Sequence, residues 1–494
     1  MRGIVSSAAY LPYRRLDRTQ IAPFVGQGGG KGTRTVASYD EDSTTMAVEA
    51  GRLALRGTGA VPNQLLFGTT FPAYADKTNA TAVHAALRLP HDSLALDLGA
   101  SVRSAVGGLL LALEGTGTSL VVSADVRTGL PGSGEEAAGG DGAAALVVGD
   151  DNVIAEFLGR ASVSDEFVER WRQPGEQRTK VWDEKFSEIN LVPLGVRAWN
   201  QALEAAGITA NDVKAAAVSA PVARVAKSMG GKLDGVHVID DLSATVGNTG
   251  AAQPALLLAA LLEQAEPGQV VALVAVVLAD ERMCCCSGPP ARWESYRPAR
   301  ADRRAGRGRW CAALRQVPRG GACCRWSLRR PEPGRISRPQ SQRGRDWKFG
   351  FVGSKNPETG EIHMPPARVS SDGLRTDEME PIAMADAVGT VVTFTIDRMA
   401  YSPSPPVVFA VVDFDGSGRL PIEAHRHRRQ RGGDRAAGRD DVPEALRGRR
   451  HRQLLLEGKA GAQWVATASR TASPSSGWAA PTSSRRGTRA STTW

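Results

Sequence analysis

The sequence predicts an α/β layered fold over residues 1–280, and three observations predict it. Short apolar runs of strand length alternate with longer segments whose apolar residues recur at helical spacing. The alternation passes through the chain twice, breaking near Asp150. It ends on Val270–Ala279, an uninterrupted apolar run that reads as a strand buried on both faces.

Taken in order, Gly3–Tyr10 reads as the first strand. Asp42–Arg56 follows as a helix, with Ser43 placed to cap it and Met46, Ala47, Ala50, Leu53 and Ala54 along one side. Gln64–Thr69 is a strand, Asn79–Leu87 a helix and Ser119–Ala124 a strand, and Asp141-Gly142 turns into the apolar run Ala143–Val148. The second pass comprises the strand Ile154–Ala161, the helix Leu191–Ala206, the strand Ala215–Ala220, the helix Ala252–Glu263 and the closing strand Val270–Ala279.

At 494 residues the chain has room for two or more domains. Its formal charge of +9 is unevenly spread. Residues 1–280 hold 23 Lys and Arg against 31 Asp and Glu, which leaves the other 214 residues with 38 against 21 of the totals of 61 and 52. All six cysteines lie between Cys284 and Cys324, so no disulfide framework is implied for the patterned part. No apolar run has the length of a bilayer span, and the N-terminus lacks a signal peptide's basic-then-apolar pattern. A cytoplasmic protein without a membrane partner is the expectation.

The stretch Asp97–Ala112, DLGASVRSAVGGLLLA, organises the rest. It reads as the end of a buried strand, a tight turn of small residues and an apolar helix. Such a turn sets one side chain at a helix N-terminus, where the macrodipole and free N–H groups favour an anion or a thiolate. The stretch resembles the nucleophile turn of the thiolase superfamily, in particular that of 3-hydroxy-3-methylglutaryl-CoA synthase and ketoacyl-ACP synthase III. Laid onto Gly99-Ala100-Ser101-Val102, the family's cysteine falls on Val102. Ser38-Tyr39-Asp40-Glu41-Asp42-Ser43 resembles the segment with the catalytic glutamate, which falls on Glu41. Gly140-Asp141-Gly142-Ala143-Ala144 is similar to the superfamily's Gly-Asp-Gly-Ala turn. Val246-Gly247-Asn248-Thr249-Gly250-Ala251-Ala252 is similar to the Gly-Asn turn whose asparagine, here Asn248, helps polarise the thioester carbonyl. The family's histidine belongs near Val218-Ser219-Ala220-Pro221, where Ser219 stands instead.

The resemblance covers roughly residues 1–283. It implies a duplicated five-layer thiolase-like fold (αβαβα), with halves of about 1–150 and 151–283, and a homodimer. It implies acyl-CoA as substrate or ligand, no further cofactor, and acyl transfer with carbon–carbon bond formation or cleavage. Of the family's catalytic groups this chain supplies Glu41 and Asn248. Each has a plainer reading: Asp40-Glu41-Asp42 is an ordinary acidic helix entrance, and Asn before Gly is common in turns. Ser101 reads as a turn or cap residue, since a serine nucleophile needs a neighbouring base. His84 and His91 read as solvent-facing.

From Glu281 the character changes to Arg, Gly, Pro, Trp and Cys without periodicity. That composition is expected when GC-rich DNA is read out of frame, and Met283–Pro289 can be back-translated and shifted to give Asp-Val-Leu-Leu-Leu-Arg-Thr, a suitable last strand. On this frameshift reading residues 284–328 and the tail 424–494 are out of frame and disordered. The frame reading also explains the Cys284–Cys286 run and Cys323-Cys324 without a metal cluster. Residues 329–345 form a Pro-rich linker, and 346–423 a small all-β domain with strands at Val388–Thr395 and Val407–Asp413. This segment resembles the OB-fold domain that accompanies thiolase-type proteins, here incomplete. Where zinc-bearing relatives place two Cys-x-x-Cys pairs, this chain has Asn356 and Thr359, then Ser370 and Gly373, so no metal is expected.

Two functions follow from the resemblance. The first is an acyl-CoA enzyme acting without a covalent intermediate; the second is a non-catalytic acyl-CoA-binding or scaffold subunit that docks a thiolase-type partner through its OB-fold domain. A nucleic-acid-binding OB-fold protein is a more remote alternative, resting on the Arg426–Arg431 run. Because the basic residues concentrate in the out-of-frame stretches, no nucleic-acid partner is expected.

Overall fold

The computed structural model describes residues 1–99, 101–173, 175–176, 178–277, 280–287, 342–399, 406–416, 418–424, 453–457 and 465–469. The first pass of the chain supplies β1 (Gly3–Tyr10), β2 (Arg14–Asp17), β3 (Thr33–Val36), β4 (Gln64–Thr69), β5 (Leu94–Gly99), β6 (Ser119–Asp125) and β7 (Gly142–Gly149). Between them lie α1 (Ile21–Val25), α2 (Ser43–Leu55), α3 (Ala80–Leu87), α4 (Val102–Glu114) and α5 (Gly134–Ala138). The second pass supplies β8 (Ala155–Ser164), β9 (Arg170–Trp171), β10 (Lys180–Val181), β11 (Val213–Ser219), β12 (His237–Val238), β13 (Val270–Val277) and β14 (Asp280–Ser287). Its helices are α6 (Glu184–Ala206), α7 (Ala223–Gly230) and α8 (Gln253–Leu262).

Ten of these strands form one sheet, ordered β12-β11-β13-β14-β8-β1-β7-β6-β4-β5. Numbered within its own pass, each half has the order 3-2-4-5-1, and the halves meet first strand to first strand through antiparallel β1 and β8. In each half the second strand pairs in parallel with the third and fourth, and the fifth runs antiparallel. Apolar packing separates the helices into layers. Leu109, Leu110 and Leu113 of α4 pack with Leu256–Leu258, Leu261 and Leu262 of α8 between the two halves. Met46, Ala47 and Ala50 of α2, with Val83 of α3, cover the outer face of the first half. Leu191, Trp199 and Leu203 of α6, with Val225 and Met229 of α7, cover that of the second. The result is the five-layer αβαβα arrangement of the thiolase-like fold.

Several sequence expectations are corrected. Asp42 rather than Ser43 caps α2: its side chain accepts from Thr45 N, and Thr45 Oγ1 accepts from Asp42 N in a reciprocal capping box. Ser43 instead donates to Phe71 O at 2.6 Å. Helix α6 starts seven residues before Leu191, where Asp183 caps polar first turns that carry little apolar periodicity. The strand entering the organising turn is not buried: β5 ends the sheet, and Leu94 and Leu96 are 50% and 43% exposed. His84 is half-buried, with its ring Nε2 2.8 Å from Pro90 O, while His91 is exposed.

The expected boundary at residue 283 falls inside a strand. Asp280–Ser287, as printed, pairs with β13 from Val270↔Ser287 to Val277↔Asp280 and with β8 from Ser164↔Asp280 to Glu156↔Ser287. Disorder is therefore corrected for 284–287, whose backbone closes the second half; residues 288–341, including Cys323-Cys324, lie outside the described residues.

Beyond the linker, α9 (Arg345–Gly350) leads to β15 (Val352–Lys355), β16 (Ile362–His363) and β17 (Glu380–Ala383), ordered β16-β15-β17. Then β18 (Val388–Asp397), β19 (Val407–Phe414), β20 (Arg419–Ala424), β21 (Gln453–Glu457) and β22 (Val465–Ser469) form an antiparallel sheet ordered β20-β19-β18-β21-β22. Its two terminal strands, β20 and β22, lie beside each other, which curls the sheet towards closure. Strands β21 and β22 correct the expectation of disorder within 424–494; the Arg426–Arg431 run lies outside the described residues. Phe351, Met384, Val412, Phe414 and Ile422 form this domain's core.

Because β14 is hydrogen-bonded on both edges, replacing Cys285 by Pro removes a ladder donor in mid-sheet. The Cys285→Pro chain is expected to lose about 2 kcal/mol or more in urea unfolding; unchanged stability would mean that β14 contributes nothing to the closed sheet.

Candidate active site at the junction of the halves

The two Gly-rich turns singled out in the sequence interlock. Gly140 N donates to Asn248 O at 2.9 Å and Asn248 N to Ala138 O at 2.8 Å. A Cβ on Gly247, whose φ is +85°, would lie 2.5 Å from Gly139 O, so no side chain fits there. Strand β3 runs along the same turn, with Thr33 N donating to Ala244 O (2.9 Å) and Thr35 N to Val246 O (2.8 Å).

Two buried aspartates fix the surroundings. Asp125, at the end of β6, accepts from Thr70 N (2.7 Å), Thr69 Oγ1 (3.0 Å), Phe71 N (3.2 Å), Thr70 Oγ1 (2.7 Å) and Ala251 N (2.7 Å). It thereby ties the end of β4 in one half to the Asn248 turn of the other. Gly250, with φ +59°, is required because a Cβ would sit 2.2 Å from Asp125 Oδ2. Asp141 accepts from Ala37 N and Arg127 N, both at 2.7 Å, and pairs with Arg34 at 3.3 Å. Burial pushes its carboxyl above the ordinary value, against the pull of Arg34 and the two N–H groups.

Ser101 caps α4, its Oγ accepting from Ser104 N at 3.3 Å, and Val102 is the first helical residue. Helix α4 lies close on β4, since a Cβ on Gly68 would meet Ala105 Cα at 2.8 Å. It also lies against Gly250–Ala252. As a crossover between parallel strands, α4 starts at the carboxyl ends of β4 and β5, so Val102 stands beside the junction. At this helix start Val102 presents an isopropyl group, which has no lone pair to offer.

Glu41 closes a turn, with its N donating to Ser38 O at 3.1 Å. Both carboxylate oxygens are engaged: Tyr10 Oη donates to Oε1, and Ser38 N to Oε2 at 2.5 Å. Asn248 Nδ2 donates to Ala220 O at 2.8 Å, and its Oδ1 accepts from Gly250 N at 2.9 Å. Ser219 is buried at the end of β11, one residue before the carbonyl that Asn248 holds. The structure therefore brings the Asn248 and Ser219 positions together, with α4, which Val102 begins, packed against Gly250–Ala252 and the Glu41 turn tied in through Ala37 and Asp141.

Sequence reasoning missed the charged network beside this junction. Glu135 of α5 accepts two bonds from Arg170, at 2.7 and 3.0 Å, and one from Arg127 at 3.2 Å. Burial raises its carboxyl, but the two guanidinium groups outweigh this and hold it below the ordinary range. Arg172 stacks on the Phe71 ring at 3.6 Å and donates to Thr70 O. Glu169 is buried, with Ser187 Oγ donating to Oε2 at 2.9 Å and Oε1 unpartnered. Burial pushes this carboxyl up.

No group of three or more His, Cys, Asp or Glu side chains suited to a metal occurs among the described residues. The four positions singled out in the sequence for a zinc do not fit the metal. Asn356 Oδ1 accepts from Glu358 N (3.0 Å) and Thr359 N (3.4 Å), and Ser370 Oγ from Arg375 N (3.1 Å), while Gly373 has no side chain.

No family model matches the chain. It is similar to curated hydroxymethylglutaryl-CoA synthases: 29% identical over 301 residues to that of Archaeoglobus fulgidus, covering 56% of this chain and 85% of the relative. Against that of Methanocaldococcus jannaschii it is 28% identical over 293 residues, with the same shares. In fold it is similar to the 3-oxoacyl-(acyl carrier protein) synthase III of Pseudomonas aeruginosa (TM-score 0.53, 23% identity, 58% of this chain and 98% of that one). It is also similar to a hydroxymethylglutaryl-CoA synthase solved as a complex with CoA (TM-score 0.54, 16% identity, 61% and 86%).

Glu169 gives the junction a pH dependence whose sign is fixed. Its folded-state carboxyl titrates above the unfolded value of about 4.3, so the folded chain holds the proton longer. This stabilisation is present at low pH and is lost as pH rises through the folded value. In urea unfolding at several pH values, Glu169→Gln is expected to gain stability relative to the parent chain as pH rises; a constant difference would contradict the assignment. The doubled fold and the similarity to hydroxymethylglutaryl-CoA synthases together support the thiolase superfamily for this chain.

Proposed function

We propose that the junction between the halves holds an acyl-CoA thioester for chemistry of the condensing-enzyme type, with carbon–carbon bond formation or cleavage. The observation that carries this reading is the interlocked junction itself, where the Asn248 turn is bonded beside Ser219 and packs against the helix that Val102 begins. The CoA complex of the structurally similar synthase supports the choice of ligand. With Val102 at the cysteine position the usual cysteine thioester does not form, so this reading has the reaction run directly on the bound thioester.

Within that reading Glu41 is the base. It removes a proton from the carbon beside the thioester carbonyl, and its bonds from Tyr10 Oη and Ser38 N hold it in place until one gives way to the substrate. Asn248 has a second amide hydrogen beyond the one given to Ala220 O, and this would face the thioester oxygen as negative charge develops there. Neither group supplies the imidazole N–H donor of the family's histidine, whose place the resemblance gives to Ser219.

A second reading is favoured by Val102 itself: a non-catalytic acyl-CoA-binding subunit serving a thiolase-type partner. The β18–β22 sheet, curled with its edge strands adjacent, supports an OB-fold as the docking domain. A homodimer and a cytoplasmic location accompany both readings as proposals. Among the described residues no helix is long and apolar enough to cross a membrane.

Purified full-length chain incubated with acyl-CoA separates the two. Turnover by the chain alone, reduced at least about a hundredfold by Glu41→Gln, supports the enzyme. Turnover only after a thiolase is added supports the subunit, and intrinsic turnover untouched by Glu41→Gln removes Glu41 from the mechanism.

A further inference from the structure

We infer that the C-terminal β domain sets the position of Glu41, with Tyr39 and Glu423 as the positioning residues. The inference rests on the reading of Glu41 as the group that meets acyl-CoA. Tyr39 and Glu423 are 384 residues apart in sequence, yet Tyr39 Oη donates to Glu423 Oε1 at 3.0 Å in a partly buried contact. Tyr39 lies inside the four-residue turn that carries Glu41. That turn is closed at the backbone by Glu41 N to Ser38 O (3.1 Å) and across the side chain by Ser38 N to Glu41 Oε2 (2.5 Å). Pulling on Tyr39 therefore moves the two atoms that locate the carboxylate.

Glu423 is itself held firmly, since β20 pairs residue by residue with β19, Glu423 opposite Phe409. The domain also grips the other end of the same helix. Asp386 accepts from Arg52 in the last turn of α2 and from Arg56 just beyond it. Two acidic side chains of the β domain thus hold α2 at both ends. One of them reaches the Glu41 turn and the other does not, so the two contacts can be tested separately.

Amide hydrogen exchange of the full-length chain reads the effect directly, because the Ser38 N–H is protected by the Glu41 carboxylate itself. Tyr39→Phe and Glu423→Ala are each expected to speed exchange at Ser38 and Glu41 about tenfold. Glu423→Gln keeps an acceptor and should exchange like the parent, and Asp386→Asn should leave the turn unchanged. Protection of Met46 N, which donates to Asp42 O at 3.0 Å inside α2, should stay constant in all four. Unchanged exchange at Ser38 in both Tyr39→Phe and Glu423→Ala overturns the inference. So does a parallel rise at Met46, which would mean general loosening of the helix. Turnover of Glu41→Gln is scored separately: if it equals the parent's, the base reading fails while the exchange result stands.

Discussion

The structure depends on one close approach, that of the Gly139-Gly140 backbone in the first half to the Gly247-Asn248 backbone in the second. Two main-chain bonds cross there, and the positive φ of Gly247 and Gly250 lets the chain pass without a side chain. Asp125 lies behind this contact and accepts from both halves through Thr70 and Ala251. A carboxyl group removed from water is tolerable only when its oxygens are hydrogen-bonded. Five donors meet that requirement, and in doing so they fix the end of β4 against the Asn248 turn. The central layer of α4 and α8 can then pack as one core shared by both sheet halves.

On the proposed reading, in which Val102 stands at the cysteine position, this frame keeps the site's shape without a nucleophile. The groups that build the junction are backbone atoms, glycines and buried acids, and neither Val102 nor Ser219 is among them. Val102 begins α4 because Ser101 caps the helix, and that cap works whatever side chain follows it. Binding and positioning can persist where covalent acyl transfer cannot. The tie from Glu423 to the Glu41 turn adds a second constraint, imposed from outside the doubled fold.

Much of this was legible in the sequence, for physical reasons. Apolar spacing located most strands and helices to within a few residues, because one face of each is buried against a neighbouring layer. The two Gly-rich turns were visible because only glycine fits their backbone, and they proved to be two sides of one contact. What escaped was information carried by distance. LALDL in β5 reads the same on an edge as in mid-sheet, and only the strand order makes it an edge. Arg127, Glu135 and Arg170 form no local pattern; Arg170 reaches Glu135 across 35 residues. Asp42 and Ser43 are both good caps, and the reciprocal bond from Thr45 decides between them. Composition misled at Asp280–Ser287, where backbone pairing on both edges makes a strand of residues that carry no strand-like pattern.

The central claim is that the junction beside Val102 is an acyl-CoA site. A calorimetric titration of the full-length chain with acetyl-CoA tests it most directly, alongside Val102→Trp, which places an indole where α4 begins. The account predicts saturable binding of one ligand per chain. It further predicts that Val102→Trp weakens this binding by at least about tenfold, or roughly 1.4 kcal/mol, with an unchanged unfolding midpoint. No saturable binding, or binding indifferent to the indole, would contradict it.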